Sequence, residues 1–509
     1  MPEQQSLDPL LVPLLPPVRD FLAATHFLLI DNQWIAAQND QTFTTYNPAN
    51  GEALAQIASG HAADIDLAVK AARRAYNHGD WTQKMTPADR ARLLWKMADL
   101  LEKHRETLAQ LESLDNGKPY RSVRDGDVTW SADHFRYYAG WTTKIEGATI
   151  PVSVPGQMVY TVREPIGVCG LITPWNFPLE IAVWKLAPAL ACGNCVILKP
   201  AEQTPLSALF LGELFLEAGF PPGVVNIITG FGETAGAALI NHPDVDKIGF
   251  TGSSEVARTI IHASAGTLLQ NIKKVSLELG GKNPNIIFAD ADLSQAPTQA
   301  LWAAFGNSGQ SCVAGSRLYI ERPAFDRVVD ALTDQISKLR LAPGLSVDQP
   351  DLGPLISDEQ MTRVLDYVTQ GKDSGAKLQG GVRLGGDLAA GYFVSPGIFT
   401  ETTDEMAIIQ EEIFGPVVVA TPFDDTADLI RRVNATRYGL AAGIWTRDIG
   451  RAHRLASAIK AGVVWINSYG MFDPAVPFGG YKDSGYGREM GASALDLYTQ
   501  TKSVWVNLA

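Results

Sequence analysis

Gly167-Val168-Cys169-Gly170-Leu171-Ile172-Thr173, Cys195-Val196-Ile197-Leu198-Lys199, Val224-Val225-Asn226-Ile227-Ile228-Thr229-Gly230, Lys247-Ile248-Gly249-Phe250-Thr251 and Lys274-Val275-Ser276-Leu277-Glu278-Leu279 are five short β-branched runs, each separated from the next by a segment of helical spacing. Alternation of this kind predicts βαβ units and a parallel sheet. A second alternating series lies beyond them, with strands near 317–320, 417–421 and 463–467 and helices near 324–339, 358–370 and 449–461. Two α/β layers are therefore expected, and no period of repeating units competes with them.

Upstream, apolar residues recur at helical spacing over 64–77 and 87–113 (Leu93, Met97, Leu100, Leu101, Leu108), and Asn116-Gly117-Lys118-Pro119 reads as a stop. Between Thr149 and Glu164 the pattern turns to short Val- and Tyr-containing segments split by Pro155-Gly156, a hairpin signal. The stretch Leu7 to Val18 is apolar but lacks a basic start and is broken by Pro13, Pro16 and Pro17, so it reads as an untargeted, loosely ordered leader. The longest apolar run, Leu186 to Leu198, is bounded by Lys185 and Lys199 and interrupted by Pro188 and Gly193, too short to cross a membrane.

At 509 residues the chain exceeds what one hydrophobic core organises. Hydrophobic residues at 46% and charged residues at 19% match a folded globular protein. The net charge of -13 disfavours nucleic acid and anionic membranes, leaving small molecules and copies of the chain as expected partners. Four cysteines are too few for a disulfide framework, which points to a reducing compartment, the cytoplasm.

Three side chains carry candidate chemistry. Cys312 stands among small residues in Ser308-Gly309-Gln310-Ser311-Cys312-Val313-Ala314-Gly315-Ser316, where it reads either as a small core residue or as an exposed thiol. Glu278, 34 residues before it, interrupts a strand just ahead of Gly280-Gly281 and is either a solvated edge residue or a functional carboxylate. Asn176, between Pro174 and Pro178, fits an oxyanion donor or a helix N-cap. Cys192-Gly193-Asn194-Cys195 has the spacing of a redox or zinc pair, yet it enters a buried strand without a second pair or a suitably placed His. It reads as packing, and no catalytic metal is expected. Gly230-Phe231-Gly232-Glu233-Thr234-Ala235-Gly236 resembles a dinucleotide fingerprint with one residue too many.

Taken with Ile197-Leu198-Lys199-Pro200-Ala201-Glu202-Gln203-Thr204-Pro205, Gly249-Phe250-Thr251-Gly252-Ser253-Ser254-Glu255-Val256, Glu411-Glu412-Ile413-Phe414-Gly415-Pro416 and Pro477-Phe478-Gly479-Gly480-Tyr481-Lys482, these elements closely resemble the aldehyde dehydrogenase superfamily over about 27–505. The chain is most similar to the non-acylating tetrameric class, which includes the bacterial phenylacetaldehyde dehydrogenases. The resemblance implies an α/β fold with a Rossmann-like NAD-binding domain (1–146 and 166–280) and an α/β catalytic domain (281–480). Residues 147–165 and 481–509 would form a β oligomerisation arm and C-terminal tail, and the protein would be a homo-oligomer, a dimer or tetramer. It implies that Cys312 attacks the aldehyde, that Asn176 and the Cys312 N–H hold the oxyanion, and that Glu278 activates water to hydrolyse the thioester. NAD would be held by Ile172, Thr173, Trp175, Lys199, Glu202, Gly232, Thr251, Gly252, Ser253, Val256, Leu279, Glu412 and Phe414. Within that set the carboxylate of Glu202 repels the extra phosphate of NADP.

The aldehyde tunnel would be lined by Trp130, Phe177, Glu180, Ile181, Trp184, Ser311, Val313, Gly470, Phe472 and Phe478. Glu180 departs from the family's apolar residue. It either meets a distal hydroxyl, amine or other donor on an aromatic or medium-chain aldehyde, or turns to solvent or pairs with an Arg. Two other functions stay open on the residues alone: a cofactor-independent thiol esterase using Cys312, Asn176 and Glu278, and a binding protein that keeps the fold without the chemistry. Reduction of NAD by an aldehyde separates both from the dehydrogenase.

Overall fold

The computed structural model describes residues 11–266 and 271–508. It is built on an eight-stranded sheet in the order Gly485–Tyr486, Lys274–Leu279, Lys247–Gly252, Val168–Ile172, Cys195–Lys199, Val225–Ile227, Leu28–Ile30, Gln33–Ile35. The five central strands are the β-branched runs, and they pair in parallel. Their register sets Ile172 beside Lys199 and Phe250, and Thr251 beside Glu278, so the carboxyl ends of four strands open on one edge. The chain moves outward from Val168–Ile172 on one side and then returns to its other side with Lys247–Gly252. Ligand crevices form at such a reversal, outside the carboxyl ends.

The second sheet has seven strands, in the order Lys377–Gly380, Gly397–Thr400, Val417–Phe423, Arg317–Glu321, Pro284–Ile287, Ala441–Trp445, Val463–Ile466. All are parallel except the edge strand Lys377–Gly380. One apolar core packs the first sheet and three pack the second. The helix Pro178–Ala191, buried at every position, packs at the boundary, with Leu179 and Leu186 in the first core and Trp184 in the second.

The hairpin signal resolves as Thr149–Ile150 against Gln157–Pro165, which pairs in turn with Thr499–Asn507 along nine residues. The stretch 481–509, expected as one tail, is divided. Gly485–Tyr486 adds antiparallel to the first sheet, and Leu495 and Tyr498 enter its core, because their apolar surface is buried there and not against the hairpin. Residues 7–10 of the apolar leader lie outside the described residues, but the expectation of loose order fails beyond them. Pro16–Ala23 is a helix, Val18 is fully buried, and the Leu15 N–H donates to Gln110 Oε1 at 2.8 Å. Proline is tolerated in a helix's first turn, so the residues that argued against structure instead begin it. Among the described residues no helix is long and apolar enough to cross a membrane.

Candidate active site

The turn after Val168–Ile172 is fixed from several sides. Asn116 Nδ2 donates to the Trp175 carbonyl at 2.6 Å, and Asn307 Nδ2 donates to that of Asn176 at 2.9 Å. Phe177, not Asn176, occupies the N-cap of helix Pro178–Ala191, and no side chain caps it. Asn176 is thus free of that role, and its Nδ2 donates to the Gln310 carbonyl at 3.0 Å, tying the amide to the loop that carries Cys312.

That loop is held in an unusual backbone. Asn307 (φ 51°), Ser308 (φ 54°) and Gly309 (φ 73°) are consecutive left-handed residues. Each of the two with a Cβ costs about 1–2 kcal/mol in this conformation. Ser308 Oγ donates to the Gly353 carbonyl at 2.7 Å, and Gln310 Oε1 accepts from the Ile356 N–H at 3.0 Å. Only glycine fits at 309, where a Cβ would collide with the Gly415 carbonyl. Asn283, at the start of the second sheet, donates to the carbonyls of Cys312 and Ala314 at 2.8 and 2.9 Å. Residual strain held by many contacts is common where a side chain must be aimed.

Two cavities meet at Cys312. One, of about 590 Å³, holds all ten expected tunnel residues together with Tyr469, Trp302, Lys118 and Asp127. Its aromatic wall is continuous, with ring centroids 5.3 Å apart for Trp184 and Phe478, 5.6 Å for Phe472 and Phe478, and 6.4 Å for Trp130 and Phe472. The other, of about 390 Å³, is lined by Trp175, Asn176, Thr251, Gly252, Ser253, Leu279, Glu412 and Phe414. Cys312 and Glu278 face both.

Glu278 is buried, and its Oε2 has no hydrogen-bond partner among the described residues. Burial holds its carboxyl well above the usual carboxylate range, and the nearby Glu489 carboxylate adds to the rise while Lys185 opposes it. Burial also pushes the Cys312 thiol up, followed by the Glu412 and Glu278 carboxylates. Glu412 is pushed up to about 7 by burial, although its Oε1 accepts from the Gly281 N–H at 2.9 Å. The missing Cβ of Gly280 is what lets this carboxyl approach.

The remaining expected cofactor residues lie outside the second cavity's lining. Ile172 and Lys199 are paired at the strand ends, the Thr173 N–H donates to the Lys199 carbonyl at 3.2 Å, and Lys199 Nζ meets Glu202 Oε2 at 2.9 Å. Gly232 begins a helical turn, and Val256 is 48% exposed on the first turn of helix Ser254–Ser264. Residues that the sequence did not single out complete the cavity. Gln360 Nε2 donates to the Phe414 carbonyl at 2.8 Å and Arg363 to that of Glu412 at 2.9 Å, which holds Phe414 at φ 59°. Both come from helix Asp358–Asp373, whose regular periodicity gave no sign of them.

The second cavity suits a dinucleotide. It carries the Trp175 and Phe414 rings, 5.3 Å apart, with the half-buried Glu412, and it also includes Ser253 at the N-terminus of an eleven-residue helix, which favours an anion. Glu180 is only 3% exposed, so it does not turn to solvent, and among the described residues it has no Arg partner. Cys192 and Cys195 are buried free thiols.

The family model described as "Aldehyde dehydrogenase family" matches residues 34–504. The chain is 52% identical over 488 residues to the putative aldehyde dehydrogenase DhaS of Bacillus subtilis (strain 168), covering 96% of this chain and 97% of that one. It is 47% identical over 500 residues to aldehyde dehydrogenase 1A1 of Gallus gallus, covering 98% and 96%. Its fold matches the NAD+ complex of an aldehyde dehydrogenase from Bacillus cereus with a TM-score of 0.95 at 51% identity, over 98% of this chain and 100% of that one.

Proposed function

The chain belongs to the aldehyde dehydrogenase family, and from that premise we propose that it oxidises aldehydes to carboxylic acids with NAD through a thioester on Cys312. The observation that carries this reading is the meeting of two cavities at one thiol, with an unpartnered carboxyl facing both. Trp175, Thr251, Gly252, Ser253, Leu279, Glu412 and Phe414 would hold NAD, with Lys199 and Glu202 beyond them at the strand ends. Bound there, NAD supplies the acceptor for the hydride that leaves the substrate carbon.

The chain's own residues do the rest. Cys312 Sγ, its proton passed to solvent, adds as thiolate to the aldehyde carbon, whose carbonyl π bond breaks to give an oxyanion. Asn176 Nδ2 and the Cys312 N–H donate to that oxyanion. Once the carbon is at the oxidation level of a thioester, Glu278 takes a proton from water at Oε2, and the hydroxide displaces Cys312 Sγ to give the acid. Burial raises the Glu278 carboxyl, which makes its anion a stronger base toward water. The aromatic wall favours aromatic or medium-chain aldehydes, with a polar group near Glu180.

The nine-residue strand Thr499–Asn507, with Trp505 55% exposed, leaves a long sheet edge, which favours a homo-oligomer, dimer or tetramer, in which a second copy covers it. Four free cysteines and a charge of -13 favour the cytoplasm and the absence of nucleic-acid or membrane partners. The test is NADH absorbance with a panel of aldehydes. Wild type should produce NADH and Cys312→Ala none while still binding NAD; oxidation that survives Cys312→Ala refutes the nucleophile.

A further inference from the structure

Glu180 sits in the first turn of helix Pro178–Ala191, directly after the Asn176-Phe177 turn, and lines the larger cavity. Among the described residues it makes no ion pair, and the Trp184 indole is its polar neighbour. Behind it lies a buried group in which one cation serves several carboxylates. Lys118 Nζ bonds Asp127 and Glu112 (3.2 Å) and sits 3.9 Å over the Phe177 ring, while Glu112 Oε2 also accepts from the Leu179 N–H at 3.0 Å. Lys118 is thus already committed to two carboxylates before Glu180 is counted. Around the whole cavity Lys118 and Arg121 stand against Asp125, Asp127 and Asp351, while burial holds Glu180 and Glu278 toward their neutral forms, so no cation of the lining is left over for Glu180.

We propose that Glu180 makes the tunnel a cation subsite, and that favoured aldehydes carry an ammonium group distal to the carbonyl. The inference rests on the aldehyde-oxidising reading above. Glu180 and Cys312 line the same cavity, so a carbonyl at the thiol and an ammonium at Glu180 lie along one tunnel. Longer alkyl or aryl groups continue past Glu180 into the aromatic wall. The ammonium supplies the charge that keeps the Glu180 carboxylate ionised, whereas the empty site favours its neutral form because burial and the Asp127 carboxylate both raise it.

The experiment compares kcat/KM for 3-aminopropanal and butanal, with NAD, in wild type, Glu180→Gln and Glu180→Leu. The amino aldehyde should be preferred by wild type. The ratio of the two constants should fall about tenfold in Glu180→Gln and further in Glu180→Leu, a desolvated charge pair being lost in each. Propylammonium should compete with butanal for wild type, with its inhibition constant raised about tenfold in Glu180→Gln, a readout independent of turnover of the amine. A ratio that is the same in all three proteins, or inhibition that ignores the substitution, overturns the subsite. Failure of wild type to oxidise butanal as well would instead overturn the dehydrogenase reading.

Discussion

Replacing Glu278 by Gln keeps the side chain's volume and removes the base, and the surroundings of Glu278 determine which step suffers. A positioned general base contributes about 10²–10⁴-fold, or about 3–5 kcal/mol of barrier. The loss should fall on hydrolysis of the thioester alone. Glu278 donates nothing to the oxyanion, and its charge raises the Cys312 thiol, so the amide leaves the thiol easier to ionise than before. The variant should therefore release a burst of about one NADH per subunit and then turn over 10²–10⁴-fold more slowly. Mass spectrometry should find the acyl group on the Cys312 peptide. Burial sets the sign of the pH effect. The carboxylate is the active form and its pKa is raised, so steady-state turnover in wild type should climb with pH through a value above the ordinary carboxylate range. The slope should vanish in Glu278→Gln. Folding supplies the control: a carboxyl with a raised folded pKa favours the fold below its unfolded value, and this is lost as pH rises, so the amide should be at least as stable at pH 8. Equal loss of burst and steady state, with no adduct on Cys312, would refute the reasoning.

Lys185 and Glu489 form a fully buried pair at 2.6 Å, so Lys185→Met should cost about 3–5 kcal/mol by stranding the carboxylate, and Lys185→Met with Glu489→Gln should recover most of it, as read by urea unfolding midpoints. Lys282 is buried with no partner for Nζ and is held down to about 7 by burial and Arg317. The unfolded chain takes up that proton first, so wild-type stability should fall as pH drops from 10.5 toward 7, and thermal melts of Lys282→Met should lose part of that slope. Glu202 pairs with Lys199, and removing its charge with Glu202→Gln should raise kcat/KM for NADP about tenfold relative to NAD, because a carboxylate no longer faces the added phosphate; an unchanged ratio would place cofactor choice elsewhere.

The five central strands of the first sheet were legible because they are β-branched runs bounded by helical segments, whereas Leu28–Ile30, Gln33–Ile35 and Gly485–Tyr486, two or three residues long, were not, and one Pro-Gly pair was enough to mark the hairpin. Four strands of the second sheet gave no such signal: Pro284–Ile287, Lys377–Gly380, Gly397–Thr400 and Ala441–Trp445. Each is only four or five residues long, and they contain the proline, glycines and alanines that weaken a strand signal, so their pairing is supplied by neighbours already in place. The site divides along a similar line. Cys312, Glu278 and Asn176 stand in local sequence settings that a reader can question one at a time. Gln360 and Arg363 do not, since they hold the Glu412-Phe414 segment by side-chain bonds to its backbone, and nothing in a helix's period marks which polar residue does so. Glu180 lies between the two cases. Its type stood out against an apolar pattern, but that it is buried and that Lys118, 62 positions away, is already bonded to Asp127 and Glu112 could not be read from the chain. A carboxylate's meaning is set by the cations left over for it. That balance exists only after the fold has gathered Glu112, Lys118, Asp127 and Glu180 around one helix end.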